Sequence, residues 1–243
     1  MDYSLQTESE RWFYVYKIGK EWSRLSSESR FLSYYWSYSV FCFFWDIKNH
    51  QGWIYFAVYT ISTILGILYL SKRNPEVLNE RAKERNNTEQ WDKILLKLYI
   101  SLAFFIIYIV AGFDIRFGLS SVPIFCMYPA LAIIILSSFL AVWAMKENAN
   151  FEATSRIQND RIQNICDSGP YKAIRHPGYL AIILWAMAIP FVFGSVYVMI
   201  PSFLISIIIV IRTYLEDKML KEKLVGYVEY CNRTKYRLLP YIW

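Results

Sequence analysis

The residues best suited to chemistry lie in two short stretches. The first is GPYKAIRHPGYL, Gly169 to Leu180, which holds Arg175 and His176, one of only two histidines in the chain. The second is Arg212 followed by Glu216 and Asp217. An arginine can grip a carboxylate through two parallel hydrogen bonds. A histidine can take or give a proton near neutral pH, and His176 is the one close enough to the other charged residues to propose as a base. A residue before proline is pushed out of the helical region, so His176 is expected at a break just before a helix starts. Gly169-Pro170 and Pro177-Gly178 mark two sharp turns. On these residues alone two readings stand. One is a site. The other is a loop whose basic residues meet lipid headgroups, with Arg212 and Glu216 as a surface ion pair four residues apart.

The elements that must position these residues follow from composition. Of 243 residues, 56% are apolar and 19% aromatic, against roughly 45–50% apolar in soluble domains. The charged 19% gathers between apolar runs, the pattern of an all-α, polytopic integral membrane protein. The net charge of +6 suits basic membrane loops, and no nucleic-acid motif accompanies it. The four cysteines, Cys42, Cys126, Cys166 and Cys231, show neither metal spacing nor a disulfide framework, and no metal site is expected. No apolar signal-peptide core stands near the start. Residues 1–30 read as an amphipathic segment on the membrane surface, 31–145 as the N-terminal membrane helices, and 146–243 as the region that carries the site.

Six spans are expected. They are a short one at Phe31–Asp46, then Gln51–Ser71, Lys93–Phe113 and Val122–Met145, then an apolar run from Tyr179 to Ile211. That run would be roughly 50 Å long as one helix, against a bilayer core of about 30 Å. It must fold back, and Pro190, Gly194 and Ser195 supply the break between two short helices. Asn74 is expected to cap a loop helix that starts at Pro75. Asp114 and Arg116 fall in a short turn at the far side and are assigned to topology, and His50 is read as solvated there. Lys and Arg number five in the N-terminal segment, six in 72–93, five in 146–175 and seven from Arg212 onward, against Lys48 and Arg116 on the other side. By the positive-inside rule both termini, and the site, face the cytoplasm. The hairpin returns its ends to one side, so Arg175, His176 and Tyr179 should meet Arg212, Glu216 and Asp217. Such a charged cup can take a polar zwitterion from water and a lipidic molecule from the bilayer.

The chain resembles the isoprenylcysteine carboxyl methyltransferase family, which is related to phospholipid methyltransferases. The resemblance rests on GPYKAIRHPGYL, on Arg212 with Glu216-Asp217-x-x-Leu220, and on Gly226-Tyr227-x-x-Tyr230-x-x-Arg233 before Leu239-Pro240. Residues 74–99 also resemble loops of bacterial and archaeal members. Three departures are visible. Asp217 stands for a second glutamate, Leu180-Ala181 replaces a small residue after the motif tyrosine, and Gly226 lacks a preceding Phe. The resemblance implies S-adenosylmethionine as cofactor, with Tyr171, His176, Pro177, Tyr179, Leu180 and Glu216 binding it. It implies Arg212, Glu216 and Arg175 as catalytic residues, Arg212 being preferred for the acceptor. The implied acceptor is a prenylated cysteine carboxylate or similar lipid. The rivals are methylation of a lipid amine or small thiol, an NADPH-dependent sterol-type reductase, and a non-catalytic binding or transport protein. Transporters place ionisable groups near the midplane, whereas these spans are almost free of charge.

Overall fold

A computed structural model describes residues 50–81, 87–158, 160 and 163–243. The expected surface segment 1–30 and the short span at Phe31–Asp46 lie outside the described residues. Among the described residues every regular element is helical. Helix α1, His50–Arg73, ends on Lys72 and Arg73, whose charges suit the carbonyl end of the helix. The short α2, Pro75–Arg81, starts on its proline as expected. The side-chain amide of Asn74, the residue before it, donates to the carbonyls of Met145 (3.0 Å) and Lys146 (3.2 Å), closing the end of another helix. Helix α3 runs from Gln90 to Phe117, longer at both ends than the apolar run, with a π-helical turn at Leu102–Ile106. Gly118 ends it in the left-handed region, φ 58°, as a side chain there would be strained.

Helix α4 is Met127–Glu147. Pro129 sits in its first turn, where no amide is needed. The hairpin follows as α5, Pro177–Phe193, and α6, Met199–Lys223, and α7, Tyr227–Arg233, closes the series. Two details of the hairpin differ from expectation. Pro190 lies inside α5 and does not break it; the chain turns at Gly194, φ 67°. The second arm is not short. It is a 25-residue helix that carries Arg212, Glu216 and Asp217 in one piece with the apolar run.

Among the described residues four helices are long and apolar enough to cross a membrane: α1, α3, α4 with the turn before it, and α6. The 17 residues of α5 are at the short limit for a span. Large apolar side chains such as Leu65, Leu136, Phe139, Ile200 and Phe203 point outward, which suits lipid. Inside, Tyr55, Phe56, Tyr108 and Phe193 pack edge-on or tilted. Trp185 donates to the Tyr55 hydroxyl (3.2 Å), which lies 3.1 Å from that of Tyr108; such bonds join helices in a medium without water. Gly66 lets α1 and α4 approach, since a Cβ there would stand 2.8 Å from Val142. At the end away from the motif, buried Asp114 accepts from Ser120 N (2.7 Å) and from the hydroxyls of Ser120 and Ser195. That aspartate fastens the α3–α4 turn to the hairpin turn, a role beyond topology.

Candidate active site

Proline fixes the local geometry of the motif. His176 sits outside the helical region (φ −126°, ψ 61°) and Pro177 opens α5. The motif's backbone is pinned by the tail: Arg175 N donates to Tyr236 O (2.9 Å) and His176 N to Arg237 O (3.0 Å). Tyr230 reaches Tyr171 O through its hydroxyl (2.8 Å). Across from the motif runs the loop after α4. Phe151 lies so close that a Cβ on Gly178 would meet it at 2.7 Å. Arg156, nearly buried in that loop, is held by Glu152 (2.7 Å) and Asp160 (2.6 Å).

Between loop, motif, α6 and α7 lies a cleft. Its polar lining includes Thr154, Ser155, His176, Tyr179 and Glu216; Met219, Leu220, Leu224 and Ile165 give it an apolar wall. The expected meeting of motif and α6 is present in detail. Glu216 Oε2 accepts from Tyr179 OH (2.5 Å) and Ser155 Oγ (2.5 Å). The rings of His176 and Tyr179 stack at 5.7 Å and 12°. His176 Nδ1 is 4.0 Å from Glu216, and its Nε2 is 3.5 Å from Asp217 without forming an aligned hydrogen bond. Tyr171 and Pro177 line the cleft, while Leu180 does not reach it.

The two arginines have different places. Arg175 donates to both oxygens of Asp217 (2.8 and 3.1 Å) and to the carbonyls of Thr234 and Lys235. Burial works against its charge, and Asp217 more than reverses this, so its pKa is raised. Arg212 is not in the cleft wall. It donates to Asp92 (2.8 and 2.7 Å) and Ala153 O (3.1 Å), with its guanidinium 5.3 Å from the Tyr179 ring centre. Asp217 also takes Lys221 (3.1 Å), Arg237 (2.9 Å) and Tyr227 OH (3.2 Å). The Glu of the expected acidic pair therefore faces the cleft, and the Asp is its ionic anchor. Burial raises the pKa of the Tyr171 phenol and the Cys166 thiol at the rim.

Asp92, Thr154 and Ser155 escaped the sequence reading. Asp92 read as the last residue of a polar loop, yet it is fully buried, receiving Arg212 and Ser155 N (2.9 Å). The available signal was a lone acid at the edge of one apolar run and a lone arginine at the edge of another. Among the described residues no cluster suits a metal.

Membrane-length helices with ionic groups gathered around a cleft define a membrane-embedded protein with a candidate small-molecule site. Comparison with known proteins narrows that class. Residues 130–222 match the model of the isoprenylcysteine carboxyl methyltransferase (ICMT) family, a family of membrane methyltransferases. The match runs from within α4 almost to the end of α6. It takes in the motif and Glu216 and stops before Tyr227 and Tyr230. No curated protein matches the chain.

Proposed function

We propose that this protein is an S-adenosylmethionine-dependent membrane methyltransferase that esterifies the carboxylate of a prenylated cysteine or a similar lipidic acid. The observation that carries the proposal is Glu216, a carboxylate held by two hydroxyls in the cleft beside the stacked His176 and Tyr179 rings. A carboxylate and aromatic faces suit a cationic ligand. Thr154 Oγ1 supports the fit: it is buried without a hydrogen-bond partner in the cleft wall, where a polar ligand would satisfy it. The apolar wall of Met219, Leu220 and Ile165 suits a flat heteroaromatic ring. The cleft's volume, about 120 Å³, is below the roughly 300–1,000 Å³ of drug-sized sites, so a bound cofactor would require the loop after α4 to give way.

The bound cofactor supplies an electrophilic methyl group on a sulfonium. Glu216, His176 and Tyr179 hold its charged end, with Tyr171 and Pro177 at the rim. A carboxylate acceptor is already ionised at pH 7 and needs no base, so the cleft contributes alignment and exclusion of water. Arg212 positions the acceptor through Tyr179, and Arg175 holds the motif on Asp217. The basic residues at the motif end of the helices favour a cleft on the cytoplasmic side by the positive-inside rule, with the lipid arriving from the bilayer.

Calorimetric titration with S-adenosylhomocysteine tests the proposal. Binding by wild type, weakened at least tenfold in His176→Ala, is expected, along with methyl transfer to farnesylcysteine giving a base-labile ester. Base-stable products would move the acceptor to an amine or thiol, with His176 as base. Binding of NADPH in place of S-adenosylhomocysteine would overturn the proposal in favour of a reductase.

A further inference from the structure

Helix α6 has a second face, turned away from the cleft, and its residues form a graded stripe. Ile200, Phe203, Leu204, Ile207 and Ile211 are exposed and apolar; Tyr214, one turn further on, is exposed and aromatic. Lys218 and Lys221 then follow at helical spacing, the first 62% and the second 37% exposed. Apolar, then aromatic, then basic is the order a helix shows as it leaves hydrocarbon for headgroups. Lys218 lies seven residues, roughly 10 Å, beyond Ile211. Side chains on a helix lean toward its N-terminus, here back toward the bilayer, and lysine stems snorkel over several ångströms. Lys218 is thus positioned to reach the headgroup layer, with Lys221, ten residues and roughly 15 Å beyond Ile211, at its outer edge.

A recess of about 340 Å³ opens at this end of the stripe, lined by Tyr214, Asp217, Lys218, Lys221, Glu222 and Arg237. Its charge is unbalanced. Asp217 is shared by Lys221, Arg237 and, from the inner side, Arg175. Lys218 meets Glu222 at 3.9 Å in an exposed pair, worth little. The recess itself thus sets three cations, Lys218, Lys221 and Arg237, against two carboxylates, and Arg175 takes part of the Asp217 charge from behind. The guanidinium of Arg237 lies 4.9 Å from the Trp243 ring centre and 6.0 Å from that of Tyr214. Exposed Leu239, Tyr241 and Ile242 stand in the adjoining tail, side chains of the kind found at a bilayer surface.

We infer that this recess is a binding site for an anionic glycerophospholipid, with its phosphate between Lys218, Lys221 and Arg237 and its acyl chains along the outer stripe of α6. The site lies on the other side of Asp217 from the cleft and does not depend on the reaction proposed above. The charge surplus gives preference for an anionic over a zwitterionic headgroup, and the stripe gives preference for a lipid over free phosphate.

Native mass spectrometry of the detergent-solubilised protein, titrated with phosphatidylglycerol, phosphatidylcholine and inorganic phosphate, tests this. Phosphatidylglycerol is expected to bind at least tenfold more tightly than phosphatidylcholine. A basic residue near an anionic surface is worth roughly fivefold, so Lys218→Gln with Lys221→Gln should lose most of that preference, and Lys218→Arg with Lys221→Arg should keep it. The single Lys218→Gln change, at an exposed position, should lose about fivefold with unaltered thermal unfolding. Equal binding of the two lipids, an unchanged preference in the double glutamine variant, or inorganic phosphate competing as well as lipid would each overturn the inference.

Discussion

Helix α3 carries a buried aspartate near each end, and the two are partnered by opposite means. Asp114 is surrounded by neutral donors, two serine hydroxyls and an amide. Asp92 is met by the guanidinium of Arg212 and the amide of Ser155. The neutral cluster fastens one turn to another and goes no further. The ionic one continues: Arg212 lies against Tyr179, Tyr179 holds Glu216, and Glu216 is followed by Asp217, which anchors Arg175 and the tail. Hydroxyls satisfy a carboxylate locally. Guanidinium groups span several partners at fixed angles, so they can hold a surface in shape. The charged end of the bundle is therefore the end where a ligand site can be preorganised.

Arg212→Leu breaks this difference most severely. It leaves Asp92 buried beside an apolar side chain, and about 3–5 kcal/mol of stability should be lost, read as a lower unfolding midpoint in detergent. Changing Asp92 to Leu as well should recover much of that loss without restoring S-adenosylhomocysteine binding. Recovery of both would show that the pair serves stability alone. At the other end, Asp114→Asn should cost about 1–3 kcal/mol and leave that affinity unchanged, because no ionic chain leads from it to the cleft. A tenfold weaker affinity would erase the distinction between the ends. Tyr179→Phe should weaken binding roughly fivefold, the worth of about one hydrogen bond, with Ser155 still on Glu216.

The smallest effect concerns Cys166 at the rim. Its thiol pKa is raised by burial, so a variant with Cys166 as its sole cysteine should alkylate slowly at pH 7. The rate should climb with pH as thiolate forms, and S-adenosylhomocysteine should slow it at every pH. Labelling unaffected by the ligand would move the binding surface away from this rim.

The local parts of this architecture were legible in the sequence. A proline fixes its predecessor, so the break at His176 and the start of α5 could be read directly. The length of the run from Tyr179 to Ile211 demanded a reversal, and Gly194 supplies it. The face-to-face placement of motif and α6 followed from that reversal. What escaped is long-range. Asp92 and Arg212 are 120 residues apart, and no periodicity links them. Asn74 was readable as a neighbour of a loop helix, but not its amide's bonds to carbonyls 71 and 72 residues later. Pro190 looked like a break, but a proline near a helix end is tolerated when packing holds the helix around it.

The pinning of the motif by the tail has a consequence for biosynthesis. Arg175 leaves the ribosome 59 residues before Thr234, the first of its carbonyl partners. At roughly 5–20 residues per second, the motif waits about 3–12 seconds with its guanidinium unsatisfied by the tail. Over that interval the apolar helices can already be inserted and packed. The cleft thus matures after the helices that frame it, and a nascent chain arrested before Thr234 is a membrane-inserted protein with an unfinished site.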